Sequence, residues 1–94
     1  MFYVYIIYSE KLNCFYIGTT DDVGLRILEH NSGVYIDSFT LKGIPWTHFL
    51  SISGLGSKQA YAIEKHIKQM KSKKYIHDLL EHPEIINRLK LKFG

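Results

Sequence analysis

The chain is poor in the features that mark secreted, membrane-spanning or zinc-scaffolded proteins. It has a single cysteine, Cys14, among 94 residues. That excludes an internal disulfide framework and any cysteine-based zinc cluster. Long apolar runs are missing too: Val4 to Tyr8 is five residues, against the ~20 needed to cross a bilayer. Met1-Phe2-Tyr3 leads directly into a strand-like run, with no basic leader and no small-residue cleavage site, so a cytoplasmic location and no membrane partner are expected. No glycine-rich phosphate loop follows a strand, because Gly54-Leu55-Gly56 lacks the remaining glycine and lysine of either common motif. His30, His48, His66, His77 and His82 have no zinc-ligand spacing. Nothing marks one serine as a nucleophile, and Cys14 reads as an inert strand residue.

What the chain does have is enough apolar character to fold. Hydrophobic residues make up 46% and charged residues 22%, well away from the disordered class. One domain over residues 1–94 is expected. Its core is thin, since a chain this short buries only about two-thirds of its unfolded surface. The charge is unevenly placed. Residues 1–56 carry three cationic side chains against five acidic ones, and residues 57–94 nine against four. The excess is densest at Lys65, Lys68, Lys71, Lys73 and Lys74. Such a cluster attracts polyanions, although a solvated lysine-rich helix face has the same composition.

Residues 2–8 are aromatic and β-branched, as in a strand buried on both faces. A polar turn over Ser9–Asn13 and a second strand over Cys14–Gly18 complete an antiparallel hairpin. A helix from Asp21 to about Asn31 follows, stopped by Gly33. Residues 32–44 read as a loop, Pro45–Ile52 as a third strand, and Ser53-Gly54-Leu55-Gly56 as its break. Ser57 offers a cap for a long helix with Ala60, Ile63, Ile67 and Met70 on one stripe. A basic link over 71–74 leads to a helix with Tyr75, Ile76, Leu79 and Leu80 inward, and Pro83 opens a last one over about 83–92. The order β-β-α-β-α-α-α predicts an α/β fold (α+β) in which helices flank a small three-stranded antiparallel sheet.

Three elements could carry chemistry. With a loop at Ser9–Leu12, Tyr5 would lie directly opposite Tyr16, two phenols on one sheet face. Aromatic cross-strand pairs usually serve packing, but such a pair can also position and deprotonate a water when a cation lowers the phenol pKa. Arg26 follows on the next helix with His30 one turn on, and a guanidinium aimed into a cleft binds two phosphate oxygens at once. Glu64 borders the apolar stripe with Lys68 one turn below. That is an ordinary ion pair or, alternatively, the single carboxylate that suffices for magnesium with waters and phosphate.

These residues also carry a family pattern. Tyr3-Val4-Tyr5, Tyr16-Ile17-Gly18, Arg26 ten residues after Tyr16, His30, and Glu64 within Ala60–Lys68 stand in order over roughly residues 2–80. The chain resembles the GIY-YIG nucleases, in particular the small stand-alone bacterial branch, and is similar to the N-terminal nuclease domain of the excinuclease that incises DNA in excision repair. Tyr3 replaces the first motif glycine, as is frequent in the stand-alone branch. The polar residue that excision-repair members place after the glutamate helix has no clear counterpart.

The resemblance implies a structure- or damage-selective endonuclease hydrolysing DNA phosphodiester bonds, of the kind used in DNA repair. One Mg2+ (or Mn2+) ion would be held by Glu64, with Tyr5 as general base, Tyr16 orienting water or phosphate, Arg26 as phosphate clamp and His30 as auxiliary hydrogen-bonder. The tyrosine roles are exchangeable. Lys65, Lys68, Lys71, Lys73 and Lys74 would contact the nucleic-acid backbone, giving salt-sensitive binding without sequence preference. The tyrosines, Arg26 and Glu64 would converge on one exposed cleft. Without an attached recognition module, weak binding alone or dependence on a homodimeric or protein partner is expected. Two other readings stand beside this one: a nucleic-acid-binding module of the same fold that cleaves little or not at all, and an adaptor acting through Trp46 or exposed apolar residues of Ile85–Phe93.

Overall fold

The structure is a computed structural model and describes residues 1–34 and 39–94. Three strands, β1 (Phe2–Ser9), β2 (Cys14–Thr20) and β3 (Trp46–Leu55), form an antiparallel sheet in the order β2-β1-β3. The most apolar segment therefore takes the centre, where both faces are covered. Helix α1 (Val23–Ser32) and the one-turn α2 (Phe39–Lys42) precede β3; α3 (Ser57–Met70), α4 (Lys73–Glu81) and α5 (Pro83–Phe93) follow it. The α/β class and the three-stranded sheet agree with the sequence reading. No helix among the described residues is long and apolar enough to cross a membrane.

Alternation along β1 divides the molecule. Val4 and Ile6 point to one face, where Ile17, Ile52 and Leu55 meet Ala60, Ile63 and Ile67 of α3, Ile76 and Leu79 of α4, and Leu89 of α5. Tyr5 and Ile7 point to the other, where Trp46 completes a smaller cluster covered by Val23 and Ile27 of α1. Asn31 fastens this second layer to the sheet. Its side chain donates to the Trp46 carbonyl (2.9 Å) and accepts from the Trp46 N–H (2.6 Å).

Several boundaries differ from expectation for identifiable reasons. The hairpin loop is Glu10–Asn13, not Ser9–Leu12, because Ser9 pairs with Cys14 and Asn13 takes the left-handed conformation (φ 49°) that asparagine tolerates. Tyr5 therefore faces Gly18, and Tyr16 faces Ile7. The register moves by two, so the tyrosines keep a common face but become diagonal neighbours. A Cβ on Gly18 would lie 2.6 Å from the Tyr5 ring, so the glycine provides the space that ring occupies.

The third strand does not break at Ser53. It continues to Leu55 through a register shift, with Gly54 at φ +73°. Part of the expected loop over 32–44 is α2, too short to show periodicity; positions 35–38 of that loop lie outside the described residues. Asp22 caps α1, accepting from the Leu25 N–H. Gly56, not Ser57, is the cap of α3, and Gln59 accepts from its N–H at 3.4 Å. Ser72 caps α4, which starts inside the expected basic link. Met70 and Leu80 are exposed and leave their predicted stripes. Trp46 is buried, with its indole N–H donating to the Thr40 carbonyl, so it offers no adaptor surface. Leu89 is buried, and Ile85, Ile86 and Phe93 pack against the same core.

Candidate active site

The α1 face of the hairpin holds a contiguous aromatic group. The Tyr5 hydroxyl and His30 Nε2 share a buried hydrogen bond of 2.8 Å. The Tyr16 ring meets His30 edge-on at 5.0 Å between centroids, and lies 6.4 Å from Tyr5 and 6.2 Å from Trp46. His30 is buried because it sits on the inward side of α1, one turn beyond Arg26. Burial, reinforced by the Arg26 charge and opposed by Glu29, holds the His30 pKa below its ordinary value. The ring is thus neutral at pH 7 and fit to share a proton with a phenol, in the direction its tautomer sets. Tyr5 is 1% exposed, whereas Tyr16 is half-buried. Of the two hydroxyl-bearing rings, Tyr16 is the one that reaches solvent.

Arg26 is half-buried, and its Nε lies 3.4 Å from Glu29 Oε1. Both side chains are about a third exposed. A pair of this kind contributes under about 1 kcal/mol, so it can yield to a phosphate at little cost.

Glu64 approaches from the opposite side. Its Oε1 accepts from the Thr19 hydroxyl at 2.6 Å, and its Oε2 accepts from Lys68 Nζ at 2.7 Å. Thr19 alternates with Tyr16 and Gly18, and so projects to the α3 face of β2. Tyr5, Tyr16 and His30 gather on the α1 side of β2, with Arg26 one helical turn before His30. Glu64 bonds Thr19, whose side chain alternates to the α3 side of the same strand. The outer edge of β2 carries no neighbouring strand among the described residues.

The Glu64 carboxylate suits a hard divalent cation. It is 17% exposed, oriented by Thr19, and blocked by one ammonium on a half-exposed side chain that can swing aside. The described residues also bring ligand atoms of Asp78, Glu81 and His82 within 4.8 Å of one another. Those lie on and just after α4, apart from Glu64, and Asp78 is held by Lys74 at 2.9 Å. The five lysines have different immediate surroundings. Lys68, Lys71 and Lys73 line a shared groove with Cys14, Phe15 and Ile17. Lys65 lies beside His66, Lys92 and Phe93, and Lys74 is paired with Asp78.

Two contributors escaped the sequence reading. Thr19 orients Glu64 across 45 residues, and period-two alternation from Ile17 was the signal that could have placed it toward the long helix. Asn31 anchors the helix that carries Arg26 and His30, and no local pattern marks it.

A family model described as the GIY-YIG catalytic domain matches residues 1–76. Searches of curated proteins and of solved structures found no match.

Proposed function

The chain belongs to the GIY-YIG catalytic-domain family, a nuclease family whose members generally use a divalent metal, and from that premise we propose that it is a metal-dependent endonuclease cutting DNA at exposed or branched structures. The observation carrying this reading is the buried Tyr5–His30 hydrogen bond with Tyr16 packed against it, beside the open edge of β2.

In this scheme a phosphodiester lies along that edge. The Arg26 guanidinium spans two phosphate oxygens and offsets the charge that accumulates on phosphorus. Tyr16, the half-exposed phenol, gives its own proton to solvent and, as the phenolate, orients the attacking water and takes up the proton that water releases. Tyr5 is 1% exposed and its hydroxyl is bonded to His30. It acts instead through His30, holding the helix and the neighbouring phenol in place, which reverses the sequence-based preference for Tyr5 as base. Glu64 would hold one divalent ion, which supplies charge stabilisation to the departing 3′ oxygen. Lys68, Lys71 and Lys73 carry the strand away from the site by backbone contacts.

A second reading has its own support. Both carboxylate oxygens of Glu64 are engaged, one by Thr19 and one by Lys68. That arrangement suits a nucleic-acid-binding module with little cleavage. Supercoiled plasmid, branched DNA and single-stranded DNA, incubated with magnesium or chelator, separate the two. Metal-dependent nicking that falls by roughly 10²–10³ in Glu64→Gln and Arg26→Ala, the loss typical of a deleted electrostatic stabiliser, supports the enzyme. Binding without nicking, unchanged in Glu64→Gln, supports the module.

A further inference from the structure

At the hairpin tip, away from the tyrosine–histidine group, three rings pack edge to edge. Phe15 and Phe49 lie 4.9 Å apart between centroids, Phe15 and His77 5.6 Å, and Phe49 and His77 5.3 Å. Tyr8 adds a fourth ring, 5.0 Å from Phe15. They wall an open cavity of ≈ 240 Å³ completed by Asn13 and Lys73. None of these rings is fully buried, and His77 is exposed. The Tyr8 hydroxyl donates to Asn13 Oδ1 at 2.7 Å, which leaves the Asn13 amide nitrogen to donate elsewhere. Lys73 Nζ donates to the Asn13 carbonyl at the mouth.

This cavity does not stand alone. Phe15 and Lys73 also line the neighbouring groove that holds Lys68 and Lys71. Lys68, the partner of Glu64, thus lines one groove with Lys71 and Lys73, and that groove shares Phe15 and Lys73 with the aromatic cavity. Cations along a path that ends on π-faces are the two requirements of a single-stranded nucleic-acid site, where lysines follow phosphates and rings stack on bases. The volume lies below the ~300 Å³ at which pockets for larger ligands begin, and suits one base.

Resting on the nucleic-acid reading above, we propose that this cavity binds one unpaired nucleobase of the substrate strand, stacked against Phe15 or His77, with its flanking phosphates on Lys73 and Lys71. A duplex cannot fill it unless a base leaves the stack, and the cost of that is least where pairing is already broken. The cavity thereby selects frayed, branched or single-stranded substrates.

The test needs no cleavage. A fluorescent 12-nucleotide thymidine strand and a fully abasic strand of the same length carry equal charge and differ only in bases. Their binding is followed by fluorescence anisotropy in chelator. The full chain should bind the base-bearing strand about tenfold more tightly, as expected for one stacked base. His77→Ala, on an exposed helix position, and Phe15→Leu, which keeps apolar volume, should each bring the ratio close to one. Lys71→Ala should weaken both strands alike and flatten the salt dependence. Equal binding of the two strands by the full chain, including no binding of either, overturns the proposal. So does a ratio that survives His77→Ala in a protein of unchanged circular dichroism. Plasmid nicking that depends on Glu64 while the base preference is absent would discard the cavity and leave the nuclease reading intact.

Discussion

The two faces of the sheet are built to different rules. The face under α3, α4 and α5 is apolar throughout its buried cluster, from Val4 and Ile6 to Leu79 and Leu89. The face under α1 and α2 contains every buried polar residue among those described: Ser9, Thr20, His30 and Thr40. Three of these side chains bond nearby groups. Ser9 donates to the Gly43 carbonyl, Thr20 to the Asp22 carbonyl, and His30 shares its bond with Tyr5. The helical face follows the ordinary logic of burial, where each large side chain contributes about 1.5–3 kcal/mol. The α1 face gives up some of that to hold hydrogen-bonded groups in fixed positions near solvent. Buried hydrogen-bonded groups and the main apolar core thus lie on opposite sides of one thin layer, and Glu64 is the candidate site residue carried by the helix on the apolar side.

That division is most exposed to test by truncation in the helical core. Leu79 is fully buried. Leu79→Ala is expected to cost about 2–5 kcal/mol and to lower the melting temperature by roughly 10 °C or more. Nicking activity per folded molecule, measured well below the transition, should not change. If Leu79→Ala removed activity while the chain remained folded, the two faces would not be independent.

Gly18→Ala reverses the balance. The added methyl would meet the Tyr5 ring at 2.6 Å, and that ring is held by His30. Overpacking should cost about 1–3 kcal/mol, less than Leu79→Ala. The ring must move, however, so activity should fall further than stability does. Thermal unfolding and nicking rates on the same sample separate the two effects. A variant as active as the wild type would show that Tyr5 placement is unimportant.

Tyr5→Phe leaves the ring packing in place. It deletes one buried hydrogen bond, worth about 1–3 kcal/mol when a partner is left behind. Paired with His30→Phe in a double-mutant cycle, it should return a coupling of about 1 kcal/mol. Under the proposed roles Tyr5→Phe retains most of its nicking activity and Tyr16→Phe does not. Equal loss in both would restore Tyr5 as a candidate base.

Much of this arrangement could be read from the residues, and the parts that could not have specific causes. The common face of Tyr5 and Tyr16 survived a misplaced loop because a register shift of two preserves parity. The burial of Tyr5 was hidden, since it depends on the Gly18 space and on a helix 25 residues away. Gly54 looked like a strand end because a positive-φ bulge and a turn favour the same residue. The position of Glu64 along α3 followed from periodicity. Which side of β2 it would reach did not, because that depends on which sheet face α3 covers, a tertiary choice absent from local pattern.

The smallest contrast between the faces is one of proton binding, and it can be assigned residue by residue. His30 on the α1 face and His66 beside Tyr75 and Phe93 both have pKa values held below the ordinary 6.5, each mainly by burial. Arg26 lowers His30 further while Glu29 opposes it, and Lys92 lowers His66 further. Well above pH 6.5 both rings are neutral whether the chain is folded or not, and neither affects stability. As pH falls through 6.5 the unfolded chain takes up protons first, so the folded state loses stability until its own depressed pKa values are passed. Melting temperature should therefore decline as the solution is taken from neutral to mildly acidic. His30→Gln and His66→Gln should each remove part of that slope, and the double variant most of it. His30→Gln should also flatten the acid side of the nicking profile, because of the two rings His30 is the one bonded to Tyr5. If His66→Gln flattened that profile equally, the two faces would be titrating as one unit.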